Sequence, residues 1–216
     1  MPEARPFEHP RLIICEGPED VSFFHELIRQ RNIQPFHIMH TGNSRHVTGG
    51  NSKYCEKLRA LRLNRSFKNI KRILIVTDSD DNSGASFAAV AAQIGGAGYP
   101  IPTAPWTVAN GEPSVALITI PDGAPGNLEC YLKEAARAPN QARTAFVDHF
   151  VEQVSVGGEW TGPRKGKLWL RAMMAASWPR DPGINLSPMF LDNAARRIVP
   201  TEDHSFNALA AYLAQF

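Results

Sequence analysis

The sequence predicts an α/β fold with a mainly parallel sheet of about four strands and helices on both faces. Up to about residue 130, short apolar runs that end in acids, Gly or Pro alternate with segments of helical hydrophobic spacing. Such alternation is typical of parallel strands joined by helical crossovers. The clearest run, Arg72–Thr77, is apolar at consecutive positions, as expected for a strand that is covered on both faces.

The remainder of the chain is predicted to be helical. With 216 residues, the chain suits one large domain or one domain with a small appendage, because domains run to about 100–200 residues. We therefore predict an α/β core over residues 1–135 and a helical C-terminal extension over residues 136–216 that packs on this core.

The first half contains three predicted strands. Arg11–Cys15 is short, apolar and stopped by a Gly-Pro pair, which favours a buried strand. Gln34–His40 and Arg72–Thr77 are the other two. A loop rich in Gly, Asn and Ser is predicted over residues 41–52. Helices are predicted over residues 19–31, 53–64 and 86–94 from the spacing of their apolar or small side chains.

The second half contains one more predicted strand, Val115–Ile120, which is stopped by Pro-Asp-Gly. Apolar residues at helical spacing follow it. Helices are predicted over residues 127–137, 141–154, 165–178 and 205–216.

Composition excludes several classes of protein. Lys and Arg total 23 against 21 Asp and Glu, giving a net charge of +2, which rules out a wholly basic nucleic-acid coat but not a local basic face. No apolar run approaches the 18 or so residues of a membrane span, and the start lacks the apolar region of a secretory signal. The three cysteines form no C-x-x-C pair. Reduced thiols in the cytoplasm, with no membrane partner, are the expectation.

Acidic residues follow two of the predicted strands. Glu16, with Asp20 four residues later, follows the first, and Asp78 and Asp80 follow the third. If the chain stays extended there, Asp78 and Asp80 point to the same side. Ligands bind at the carboxyl ends of the strands in such sheets. Four converging carboxylates repel one another, so we predict that they hold a hard divalent cation, Mg²⁺ or Mn²⁺.

Another acid, Glu129, is predicted in the first turn of a helix, after Asn127 as a plausible N-cap. Each acid taken alone has a simpler interpretation, since Asp and Asn often make turns and Glu often complements a helix dipole. The set as a whole favours a metal site. We expect the carboxylates of Glu16, Asp78, Asp80 and Glu129 to converge within metal-bridging range.

At this point the sequence resembles a known family. Residues 13–24, IICEGPEDVSFF, resemble the glutamate motif of Toprim (topoisomerase–primase) domains, which have a Rossmann-like sheet. Residues 73–82, ILIVTDSDDN, resemble the aspartate motif of the same fold. Asn127-Leu128-Glu129 resembles a later motif of the overcoming-lysogenization-defect (OLD) nucleases. One departure is Asn82, which stands where a third acid is common.

The resemblance implies a metal-dependent nuclease that hydrolyses phosphodiester bonds in DNA or RNA with two Mg²⁺ or Mn²⁺ ions. Asp78 and Asp80 would hold one ion. Glu16 and Asp20 would hold the second, or Glu16 would act as the general base. Asn127 and Glu129 would complete the ligand shell.

The resemblance also implies a catalytic lysine that stabilises the transition state. Lys165 and Lys167 are both candidates, and the sequence does not choose between them. A phosphate-binding loop of the G-x-x-x-x-G-K-[ST] type is absent from the sequence, so the ATPase that is fused to many relatives would be a separate subunit. A bacterial defence effector is the implied role, and self-association stays open.

A nucleic-acid partner needs local positive charge, and the sequence offers two basic clusters. Residues 53–72 hold eight bases against one acid, and we predict phosphate contacts there. The alternative is a solvated helix face. Arg164, Lys165, Lys167 and Arg171 form a second, smaller cluster. The nucleic-acid-binding candidates in the first cluster are Lys53, Lys57, Arg59, Arg62, Arg65 and Lys68.

Two other functions stay open at the level of sequence. A primase-like nucleotidyl transferase would use the same metal site. A non-catalytic module that binds nucleic acid or a protein partner would use the acids only for a regulatory metal.

Overall fold

A computed structural model of the chain describes residues 6–42, 50–155 and 160–216. The described residues form a sheet of five strands in the order β2-β1-β3-β5-β4, in which β1, β2, β3 and β5 are parallel and the short β4 is antiparallel to β5. The strands are β1 (Arg11–Cys15), β2 (His37–His40), β3 (Arg72–Asp78), β4 (Val108–Ala109) and β5 (Ser114–Ile120).

The sheet is covered on both faces, which explains the unbroken apolar runs. Successive side chains of a strand point to opposite faces. In β3, Leu74 and Val76 belong to one core cluster, whereas Ile73 and Ile75 belong to the other. Each position of the strand therefore meets a hydrophobic layer, and the predicted mainly parallel α/β architecture is confirmed at this level.

Helices from different parts of the chain build the two layers. One layer contains α2 (Tyr54–Leu61) and α3 (Ser83–Gly96). The other layer combines α1, near the start of the chain, with all of the helices that follow β5. These are α1 (Pro18–Gln30), α4 (Leu128–Arg137), α5 (Gln141–Val154), α6 (Gly162–Ser177), α7 (Leu186–Leu191) and α8 (Asn207–Gln215).

The helices that follow residue 136 share one core with the sheet. Trp169 and Met173 of α6 and Phe206 near α8 lie in the same buried cluster as Ile13 and Leu74. In the described residues, no helix combines the length and the apolar character needed to cross a membrane.

The sequence misses two elements, β4 and α7. Two residues are too short for β4 to produce a periodic pattern. Helix α7 has six residues and begins beside a proline-rich stretch, so turn signals mask it. Most of the predicted loop over 41–52 falls on residues 43–49, which lie outside the described residues.

Candidate functional site

A cleft of about 480 Å³ opens at the carboxyl ends of β1 and β3, and acidic side chains line it. Glu16 follows β1 directly, and its Oε1 accepts a short hydrogen bond from the Thr77 hydroxyl and a bond of 3.0 Å from the Asp78 backbone N–H. These bonds follow from the parallel register of the two strands, which pairs Ile14 with Ile75. The cleft-lining acids are Glu16, Glu19, Asp20, Asp78 and Glu129.

Two of these carboxylates also fix the backbone around the cleft. Asp20 Oδ2 accepts a hydrogen bond of 2.9 Å from the Gly17 N–H and so caps the start of α1, just after the end of β1. Asp78 Oδ1 accepts a bond of 3.0 Å from the Leu128 N–H at the start of α4. Because Leu128 precedes Glu129, this bond holds the first turn of α4 against the end of β3.

The side chain of Asn127 is hydrogen-bonded to the backbone of α4 and α6. Its Oδ1 accepts from the Cys130 N–H at 3.1 Å, as an N-cap does, and its Nδ2 donates to the Pro163 carbonyl at 3.2 Å. With 1% of its surface exposed, Asn127 ties α4 to α6. The predicted role as a metal ligand therefore does not match this geometry, whereas the N-cap interpretation does.

The chain does not stay extended from Asp78 to Asp80, so the condition under which both side chains would point to the same side is not met. Strand β3 ends at Asp78, Ser79 is fully buried, and Asp80 has a left-handed φ of +48°. The Asp80 carbonyl accepts a bond of 2.7 Å from the Gly126 N–H, which closes the turn onto the β5–α4 connection. The charge of Asp80 still adds to the effect of burial in raising the pKa of Glu16. Asp80 therefore lies near the cleft although it is not on an extended strand.

Burial and mutual repulsion make the cleft electrostatically costly. Burial is the main cause that raises the pKa of Glu16, Asp20, Asp78 and Glu129 above the ordinary carboxyl range. The neighbouring carboxylates add to this effect, since Asp20, Glu16 and Glu129 each raise the pKa of Asp78 further. Acids arranged in this way ionise together only when positive charge is supplied.

The two candidate lysines lie on different sides of α6. Lys167 lines the acidic cleft, and its charge lowers the pKa of both Glu16 and Glu129. Lys165 lines a separate cavity of about 440 Å³ together with Cys130. Residues two apart on a helix are rotated by about 200°, so they cannot face the same cleft.

Close packing of α4 against α6 brings Lys167 to the cleft. The glycine between the two lysines, Gly166, is buried, and an added Cβ at this position would overlap Cys130 Sγ. A larger residue at Gly166 would therefore push α6 away from α4 and from Glu129.

The carboxylates surround the cleft without forming a ready-made coordination sphere. Within residues 6–42, 50–155 and 160–216, no three His, Cys, Asp or Glu side chains are arranged to hold a metal ion. The expected convergence of Glu16, Asp78, Asp80 and Glu129 is thus not found. The donor chemistry nevertheless fits a hard divalent cation, because the donors are all carboxylates and their pKa values are raised by burial and, in addition, by neighbouring carboxylates.

The predicted basic segment does not form one track beside the cleft. Lys57 lies near the end of β2, since burial and then the charge of Lys57 lower the pKa of His40. Lys53 lies 3.7 Å from Glu56 in an exposed ion pair. Arg59 and Arg62 donate to the carbonyls of Gly96 and Gly98 at the end of α3.

Arg65 and Lys68 lie at the opposite edge of the sheet. They belong to a 3₁₀ helix, Arg65–Asn69, which is hydrogen-bonded to Phe7 through Ser66 and Asn69, just before β1 begins. This helix is therefore separated from the cleft by the length of the strands.

Sequence reasoning missed two groups that shape the cleft. Thr77 orients Glu16, and the signal for it was available, because a parallel register places the last residue of one strand beside the end of its neighbour. Asn185 and Ser187 line the cleft from the start of α7, and the Ser187 hydroxyl donates to the Pro18 carbonyl at 3.3 Å. No periodic signal pointed to this second pair, because α7 is so short.

Comparison with known proteins returns one match. The family described as "Protein of unknown function (DUF3226)" matches residues 10–216. No curated protein and no solved structure matches the chain.

Proposed function

This chain belongs to the DUF3226 family, and we propose from its acidic cleft that it is a metal-dependent nuclease with a Toprim-like fold, acting on DNA or RNA. The observation that carries the proposal is the set of buried and half-buried carboxylates with raised pKa values at the carboxyl edge of a parallel sheet, with one lysine on the rim. Ligand sites of open α/β sheets occur at this edge.

The carboxylates would hold Mg²⁺ or Mn²⁺, and the proposal keeps two ions. When bound, the cations supply compensation for the buried negative charge and polarise the phosphate. Glu16 and Asp78 come from neighbouring strand ends, and Glu129 approaches from α4. Asp20 and Asp80 contribute further negative charge nearby.

Each of the bonded carboxylates has a second oxygen for such a role. Glu16 accepts the bonds from Thr77 and Asp78 through Oε1, whereas Asp78 accepts through Oδ1 and Asp20 through Oδ2. These bonds fix the direction of each side chain before a ligand arrives, which is a form of preorganisation. Thr77 thereby acts as a positioning residue for Glu16, whether Glu16 ligates a metal or accepts the proton of the attacking water.

We assign the catalytic cation to Lys167. Its ammonium group is exposed at the cleft, and within the described residues no carboxylate lies within 4 Å of it. An ammonium group that is not held in an ion pair can stabilise negative charge that develops on a phosphate. Lys165 faces away and serves as the matched control.

The test is a cleavage assay with purified protein. Plasmid, single-stranded DNA and tRNA are incubated with Mg²⁺ or Mn²⁺, beside the variants Asp78→Asn, Lys167→Gln and Lys165→Gln. The proposal expects cleavage that needs the metal, is lost in Asp78→Asn and Lys167→Gln, and persists in Lys165→Gln. Cleavage that survives Asp78→Asn would contradict it.

Two other outcomes identify the competing functions. A product that forms only when nucleotides are added indicates a nucleotidyl transferase. Binding without cleavage, with either metal, indicates a non-catalytic module. The assay is repeated with host lysate as a source of a separate ATPase, because that partner and a role in bacterial defence rest on the Toprim and OLD resemblance alone.

A further inference from the structure

Helix α6 carries a row of exposed cations beside the face that it buries in the core. Arg164, Lys167 and Arg171 are spaced by three and four residues, so they lie within about 60° of one another around the helix. All three are exposed. We refer to these three residues as the α6 stripe. The adjoining buried face of the helix consists of Gly166, Trp169, Leu170, Met173 and Met174.

The α6 stripe runs along the rim of the acidic cleft. Lys167 lines the cleft itself, and Arg171 lines a small adjoining cavity that it shares with Glu129. One turn earlier, the Arg164 guanidinium stacks 3.7 Å from the centre of the Trp160 ring. Among the described residues, no carboxylate lies within 4 Å of any member of the stripe. Within the part of the chain that the structure describes, their charges are therefore not neutralised by ion pairs.

We propose that the α6 stripe binds the phosphate backbone of a polynucleotide and leads it to the cleft, an inference that rests on the proposed nuclease function. From Arg164 to Arg171 the helix advances by about 10 Å, which equals about three steps of one strand along a duplex axis at about 3.4 Å each. The stacking of the Arg164 guanidinium on the Trp160 ring fixes this cation at the start of the stripe.

The stripe, rather than the 53–72 segment, meets the requirements of such a track. A phosphate track needs exposed cations that are not already bonded and that lie next to the reactive site. Arg59 and Arg62 are bonded to backbone carbonyls, and Arg65 and Lys68 lie at the far edge of the sheet. The α6 stripe has both properties.

The test measures binding without cleavage, so that it does not depend on whether the wild-type protein cuts. The full chain carrying Asp78→Asn is titrated, in Mg²⁺, against fluorescein-labelled 20-nucleotide DNA and RNA strands and a DNA duplex, by anisotropy at several salt concentrations. The stripe variant adds Arg164→Gln and Arg171→Gln. The matched control instead adds Arg65→Gln and Lys68→Gln, which remove the same charge. Thermal melts establish that all three proteins are folded.

The proposal expects the stripe variant to bind at least one strand about tenfold more weakly than its parent. Its salt slope should fall by about 1.4, from a loss of about 0.7 per phosphate contact on a single strand. The control should bind as its parent does. Equal affinities for the stripe variant and its parent would overturn the proposal, as would equal losses in the stripe variant and the control, or no binding of any probe by the parent. The DNA and RNA arms identify which polynucleotide is preferred.

Discussion

Charged side chains have different surroundings at the two edges of the sheet. At the carboxyl edge, buried carboxylates face one another, and burial with mutual repulsion raises their pKa values. At the amino edge, arginines donate to backbone carbonyls at helix ends. Arg62 donates to Gly98 after α3 at 2.7 Å, and Arg72 donates to Gln215 at the end of α8 at 3.2 Å.

The difference separates charge that stabilises the fold from charge that is held ready for a ligand. A cation at a helix C-terminus neutralises orphan carbonyls and the negative end of the helix dipole. Buried acids without a cation raise the energy of the folded state. We therefore expect substitutions at the carboxyl edge to change activity, and substitutions at the amino edge to change stability.

The largest effect is expected for Lys167→Gln. Because Lys167 supplies the positive charge at the cleft rim, its loss should lower the cleavage rate by about 10²–10³-fold, as the removal of one preorganised electrostatic group does. Single-turnover rates on a labelled strand measure the effect. Lys165→Gln removes the same charge two residues away. A comparable loss in that variant would refute the assignment of Lys167, and not Lys165, to the cleft side of α6.

The next effect is expected for Gly166→Ala, which tests how α6 is held at the carboxyl edge. An added methyl group would overlap Cys130 Sγ, and overpacking of this kind costs about 1–3 kcal/mol. Urea denaturation should report the lower free energy of unfolding. Gly162→Ala is the matched control, because a Cβ at Gly162 meets nothing within 4 Å. An equal loss in the control would point to backbone effects instead of packing.

The pH dependence of stability tests the same edge without any activity assay. The folded-state pKa values of Asp20 and Asp78 lie above their unfolded values near 4, so their favourable contribution is present at low pH. That contribution is lost as the pH rises through the folded-state values. In EDTA, the melting temperature should therefore fall from pH 5 to pH 8, by about 2–4 °C for each kcal/mol lost.

Asp78→Asn should flatten this pH dependence, and Mg²⁺ should reverse it in the wild-type protein by compensating the ionised carboxylates. Asp81→Asn, at an exposed position three residues later, should leave the dependence unchanged. A melting temperature that rises with pH in EDTA would show that ionisation of these acids does not destabilise the folded state.

The sequence predicts the sheet well, because a strand covered on both faces must be apolar at every position, as Arg72–Asp78 is. It also predicts that Glu16 and Asp78 approach one cleft, since strand ends in parallel register meet at one edge, whereas Glu19 lines the cleft without having been predicted. Two errors come from local geometry. The turn at Asp80 breaks the extended chain, and Asn127 is used as an N-cap.

The choice between the two lysines was available from the helical period alone, which places residues 165 and 167 on different sides. The role of the bases in residues 53–72 could not be predicted from the sequence in this way. Whether an arginine is free or bonded depends on the carbonyls that the tertiary fold brings to it, and Gly96 and Gly98 lie more than 30 residues beyond Arg59 and Arg62 in the chain.

The smallest effect is expected at the amino edge, for Arg62→Ala. Arg62 bonds to the Gly98 carbonyl and stacks 4.2 Å from the centre of the Tyr99 ring, so its loss should cost about 1 kcal/mol of folding free energy and leave cleavage unchanged. Arg65→Ala, at an exposed position on the same segment, should change stability by less than about 0.5 kcal/mol. If Arg62→Ala instead weakened polynucleotide binding with stability unchanged, the charge at this edge would serve a ligand after all, because a guanidinium that stabilises only a helix end has no reason to affect binding at the opposite edge of the sheet.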